Sequence, residues 1–237
     1  MSETFRLKAS MICPLLAVFA AGIFFDTSPV EDGQAVNGPV YFALVMTRVI
    51  AVSAVVIFFG RAILAQFPFQ VDHWSWIVGI VGVFLWIGVC ELEPEKRALS
   101  MLGFSTQWLE VRDAVNPFTT YSGSALVAFI AARFTLLAIC IPVAEELFLR
   151  GFIMRAVETE SWHELSLTQI GRTGLVAATV YAVLTHPGEA GAAVLWFSMI
   201  SVLMVKTGKF WNCVVAHAVT NLLLGIYVCY FGKWHLW

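Results

Sequence analysis

Charge is scarce in this chain. Lys and Arg number 14 and Asp and Glu 16 among 237 residues, 13% in all, against about 25% in ordinary globular chains. With a formal net charge of −2 there is no basic stripe of the kind a nucleic-acid partner requires, so that class is excluded. No run of like charges is long enough to form an electrostatic tail. A polar low-complexity tract is also missing, which excludes a disordered chain. Cysteines are few: Cys13, Cys90, Cys140, Cys213 and Cys229 stand singly in apolar stretches. They make no CxxC pair and no disulfide framework, and read as small hydrophobes. There is no internal repeat and no sign of a second domain.

What the chain has is apolar length. Hydrophobic residues make up 59% of it, with 9 Trp and 19 Phe, and the mean hydropathy is +0.82. A spanning helix needs about 20 mostly apolar residues. Candidate spans are roughly Ala9–Phe25, Val40–Gly60, Trp74–Cys90, Ala125–Pro142, Gly174–His186, Gly191–Val205 and Phe210–Phe231. The first is followed by Asp26-Thr27-Ser28-Pro29 rather than a small-residue cleavage site, so it reads as a retained span and not a signal peptide. The expected fold is all-α, a polytopic membrane bundle of about 7–8 helices. It forms one membrane-embedded domain over 1–237, in which 125–231 carries the chemistry.

Between the spans lie an acidic loop with Asp26, Glu31 and Asp32, and a longer polar stretch from Glu91 to Tyr121 that is expected to lie along the interface with Trp108 as an anchor. From Ala125 to Val157 the pattern reads as helix for about 33 residues, or about 50 Å, longer than the roughly 30 Å hydrocarbon core. Pro142 sits inside it, and proline breaks or kinks a helix. The expectation is therefore one span ending near Pro142 and a further helix, Val143 to Val157, making eight helical elements.

An ionisable residue inside a membrane is a functional-site hypothesis by default. Those within the apolar stretches are Arg48, Arg133, Glu145, Glu146, Arg150, His186 and His217, joined by the polar Asn221. Glu146 and Arg150 stand at i, i+4 and can pair along one helix face, which leaves Glu145 turned about 100° away. Adjacent carboxylates in an apolar setting favour a raised pKa, the property of a general base poised near neutrality. The competing reading is an ion pair at a helix end. His217 and Asn221, again i, i+4, can present donors to one spot, or can serve as interhelical glue. His186, followed by Pro187 and Gly188, can be a catalytic histidine or an interfacial cap. Arg48 and Arg133 can snorkel or pair with a carboxylate, and no motif gives them a role.

Taken together, Glu145-Glu146-x-x-x-Arg150, His186 and His217-x-x-x-Asn221 resemble the CAAX-protease and bacteriocin-processing family of intramembrane glutamic proteases, akin to the Rce1-type CAAX endopeptidase. The resemblance covers about Ala125 to Tyr230. The family's second motif usually reads Phe-x-x-x-His, whereas Ala182 stands four before His186 here, with Tyr181 beside it. The stretch Lys209 to Asn221 also looks like the branch that accompanies exosortase sorting systems. The resemblance implies Glu145 as the base that activates water and His186 as a residue holding that water. His217 and Asn221 would form an oxyanion hole, with Glu146 and Arg150 supporting the carboxylates. It implies no cofactor and no metal. The partners would be membrane lipid and a membrane-tethered peptide or protein substrate, in a bacterial or archaeal cell membrane.

Three alternatives stay open. Glu145, Glu146, His186 and His217 could bind zinc, without the His-Glu-x-x-His arrangement of zincins. Cys213, four residues before His217, could be a thiol nucleophile, though an apolar span disfavours the thiolate. The constellation could also be structural, in a membrane chaperone or immunity factor. If all eight elements cross, the amino terminus shares a side with Arg61, Lys233, Glu145 and His186. Lys96, Arg97, Arg112, Arg155, Arg172, Lys206 and Lys209 then lie opposite, which puts the site on the non-cytoplasmic side.

Overall fold

The computed structural model describes residues 3–23, 25, 30–31, 34–35, 37–106 and 115–236. The helices are α1 (Glu3–Ile23), α2 (Gly38–Gln66), α3 (His73–Leu92), α4 (Pro94–Met101), α5 (Pro117–Thr120), α6 (Gly123–Ala156), α7 (Arg172–Thr185), α8 (Ala190–Thr207) and α9 (Phe210–Phe231). A two-residue antiparallel pairing joins Val30–Glu31 to Gln34–Ala35. Among the described residues, six helical segments are long and apolar enough to cross a membrane: α1, α2, His73–Met101, α6, Pro187–Thr207 and α9. Large apolar side chains in mid-span, such as Ile57, Phe58 and Phe84, are 70–79% exposed. Apolar side chains on the outside of helices that are hydrophobic all round are what lipid requires. The chain is an all-α integral membrane protein. The expected Trp108 anchor lies outside the described residues, as does most of the acidic loop.

Two expectations are corrected. The chain does not divide at Pro142: α6 runs unbroken for 34 residues, about 51 Å. Leu136–Cys140 and Leu147–Ile153 are π-helical, and the amide of Ile141 donates to the Leu136 carbonyl five residues back. Winding out one residue per turn accommodates the proline without a break. The second correction concerns Gly174–His186. Its helix, α7, has 14 residues, about 21 Å, and falls short of the roughly 30 Å core.

Packing groups the chain into two units. The first comprises residues 1–68, 112–148 and 221–237. Here α1 packs on α2 and on the Ile141–Glu146 turns of α6. Leu15, Val18, Val45, Val52, Phe129, Ala132, Leu136, Cys140 and Ala144 form the core. Tyr121 stacks on Phe129, centroids 4.5 Å apart, and its hydroxyl donates to the Gly38 carbonyl at 2.7 Å. The two arginines without a motif are structural ties. Arg48 Nε donates to the Val18 carbonyl at 3.1 Å, and Arg133 Nη1 to the Tyr41 hydroxyl at 2.9 Å.

The second unit comprises residues 69–111 and 149–220, with α8 packed on both α3 and α7. Asp72 caps α3 through the Trp74 amide at 3.1 Å. It also pairs with Lys209 at 3.0 Å, which ties the start of α3 to the start of α9. Burial pushes its carboxyl up, but the hydrogen bonds from Asn212, Lys209 and the Trp74 amide outweigh this and hold it below the usual range. Arg155, almost fully buried, donates to the carbonyls of Leu165, Gly151 and His163. Its guanidinium also lies over the Trp162 ring, so one side chain pins the segment between α6 and α7.

Candidate active site

The second unit assembles both candidate histidines into one aromatic network. His186 ends α7, its amide bonded to the Ala182 carbonyl, and Pro187–Glu189 follows as a 3-10 turn. Its ring meets Trp86 of α3 at 5.4 Å and Phe197 of α8 at 5.6 Å. Trp86 in turn meets Trp196 at 6.3 Å, and Trp196 meets His217 of α9 at 4.6 Å. His217 is buried, 4% exposed. Arg150, fully buried, joins from α6: Nη2 donates to the Phe197 carbonyl at 3.2 Å, and the guanidinium lies 5.2 Å from the Phe197 ring centroid. Arg150, His186 and His217, spread over 68 residues of sequence, thus belong to one packed cluster, in which Arg150 and His217 are buried and His186 is half-buried.

The wall is fixed in orientation. Trp196 Nε1 donates to Thr220 Oγ1 at 3.2 Å, and that hydroxyl lies between the carbonyls of Gly79 at 2.9 Å and Ala216 at 3.0 Å as its acceptors. Glycine is required where α3 meets this pair. A Cβ at Gly82 would lie 2.7 Å from Thr220 Oγ1 and 2.8 Å from Trp196 Nε1, and one at Gly79 would lie 2.8 Å from the Ala216 carbonyl. Thr185 sets the other histidine. Its hydroxyl lies 2.8 Å from the Tyr181 carbonyl and 2.9 Å from His186 Nδ1, which ties the imidazole to the last turn of α7.

In the first unit, Glu145 and the fully buried Glu146 sit on the turns Ile141–Glu146 of α6. These turns are bracketed by the two π-helical stretches, a feature often found at functional positions. Asn221 Nδ2 donates to the Leu137 carbonyl at 2.9 Å. In the π register that carbonyl would accept from the amide of residue 142, and Pro142 has none. The asparagine supplies the missing donor.

Residues 127–223 match the family model described as Rce1-like, type II CAAX prenyl endopeptidase. The match covers 97 of the 237 residues, and over that segment the chain is similar to the CAAX-protease family. All six of Glu145, Glu146, Arg150, His186, His217 and Asn221 lie within the match. Neither a curated protein nor a solved structure is similar to the chain. Within either unit, no three His, Cys, Asp or Glu side chains gather as a metal-binding group among the described residues. Cys213 is fully buried, its thiol directed at the carbonyls of Ile200 and Lys209.

The sequence missed Trp86, Trp196, Phe197 and Thr220. Where the family motif has an aromatic four before the histidine, Ala182 is fully buried, and Tyr181 meets Phe197 at 5.9 Å with the rings tilted. The rings against His186 come instead from α3 and α8. One signal was present: Gly79 and Gly82 stand at i, i+3 in an apolar span, the mark of a close helix approach.

Proposed function

We propose that this chain is an intramembrane glutamic endopeptidase acting on membrane-tethered peptides. The observation that carries the reading is the packed ring network that unites His186, His217 and Arg150. Packed aromatic walls exclude water, and in a water-poor site a directed donor stabilises developing negative charge by several kcal/mol. Glu145 takes a proton from water as its oxygen attacks the scissile carbonyl. His186 hydrogen-bonds that water and orients it. His217 and the second N–H of Asn221 donate to the oxyanion. Collapse breaks the C–N bond, and the amine leaves with the proton from Glu145. Glu146 and Arg150 support the base. No acyl-enzyme forms.

The test is peptide cleavage by purified protein in liposomes, with lipidated and unlipidated membrane-anchored peptides. His217→Ala is expected to lower kcat by about 10²–10³-fold with KM little changed. Unaltered kcat would overturn the role of His217.

A further inference from the structure

At the boundary where α1 begins and α2 ends, Glu3, Arg6, Leu7, Arg61, Ala62, Ala65 and Gln66 line a cleft of about 490 Å³. That lies within the about 300–1,000 Å³ of small-molecule sites. Its room comes from Ala62 and Ala65, which expose the helix surface between two guanidiniums. Both arginines are exposed, and among the described residues neither is engaged in an ion pair. The adjoining Phe5 and Leu64 are 59% and 49% exposed, so apolar surface flanks the charged cleft.

We infer that this cleft binds the headgroup phosphate of an anionic phospholipid, independently of the proteolytic site. Two guanidiniums at a helix-pair end match a phosphodiester, which arginine holds by paired N–H donors. Basic clefts between helices at a membrane surface are where anionic headgroups dock. Phe5 and Leu64 meet the first methylenes of the acyl chains. Glu3 leaves the cleft with one net positive charge from its lining residues, and it can accept from a hydroxyl on the headgroup. A zwitterionic lipid carries its own cation into a site already holding two, so it is disfavoured.

The experiment is thermal unfolding of the full chain in micelles with added phosphatidylglycerol, phosphatidylcholine or inorganic phosphate. Wild type is compared with Arg6→Gln/Arg61→Gln and with Arg97→Gln/Lys206→Gln, which removes the same charge elsewhere. Phosphatidylglycerol is expected to raise Tm by about 2–4 °C in wild type and in the control variant, and not in Arg6→Gln/Arg61→Gln. Phosphatidylcholine and phosphate should give no comparable shift. Native mass spectrometry reads the same point independently of fold stability, as one retained phosphatidylglycerol lost in that variant. An equal shift with phosphatidylcholine, an equal shift with free phosphate, or an undiminished shift and unchanged lipid count in Arg6→Gln/Arg61→Gln would overturn the inference.

Discussion

Removing Asn221 and Pro142 separately and together separates what the asparagine does for the fold from what it does for chemistry. Asn221→Ala deletes the donor to the Leu137 carbonyl and leaves that acceptor without a partner inside a helix bundle. An unsatisfied buried acceptor costs about 1–3 kcal/mol, or about 2–12 °C in Tm for a chain of this size. Pro142→Ala restores an amide at position 142, which the π register aims at the same carbonyl. On that background the loss from Asn221→Ala should shrink, with a coupling of about 0.5–3 kcal/mol. The assay is thermal or denaturant unfolding of the four variants in one detergent, with cleavage rates measured alongside. If Asn221 also donates to the oxyanion, Pro142→Ala recovers stability in the double variant and leaves activity low. Strictly additive stabilities would refute the account of how α6 passes its proline.

Three other outcomes follow from named contacts. Gly82→Ala forces Thr220 or Trp196 aside, so it should lower kcat at least tenfold while Tm falls by only a few degrees; a variant with wild-type kcat would detach the Trp196 wall from the chemistry. The Tyr121 phenol is pushed up to about 12, first by burial and then by the neighbouring Tyr41, against about 10 in the unfolded chain. Its contribution to stability is complete below pH 10 and lost as pH rises from about 10 to about 12, a slope that Tyr121→Phe should remove from an unfolding series in alkali. Arg155→Met leaves the carbonyls of Leu165, Gly151 and His163 without their donor and should destabilise by about 2–4 kcal/mol. Limited proteolysis of segment 157–171 provides the check, and unchanged resistance would contradict it.

The membrane class and the three motifs were legible because each is local. Apolar runs and i, i+4 pairs are properties of neighbouring residues, and Glu145 to Arg150, His186 and His217 to Asn221 stood out as polar exceptions in apolar sequence. What escaped was set at long range. Whether Pro142 ends a helix depends on a donor to Leu137 from a residue 84 positions away, and no window around the proline contains it. Trp86, Trp196 and Phe197 were invisible for the opposite reason. In a chain with 9 Trp and 19 Phe, an aromatic in a span carries no mark until its neighbours across the packing are known. The same holds for α7: its apolar run suggested a crossing, and only its ends, at Arg172 and Thr185, show how short it is.

The claim that Glu145 is the base of a metal-independent hydrolysis is tested most directly by the single-turnover cleavage rate of Glu145→Gln beside wild type, each measured after exhaustive treatment with a zinc chelator. The account predicts full wild-type activity under chelation and loss in Glu145→Gln of at least about 10²-fold, the scale of a removed general base. Wild-type activity abolished by the chelator and restored by added zinc would contradict it, as would cleavage by Glu145→Gln at the wild-type rate.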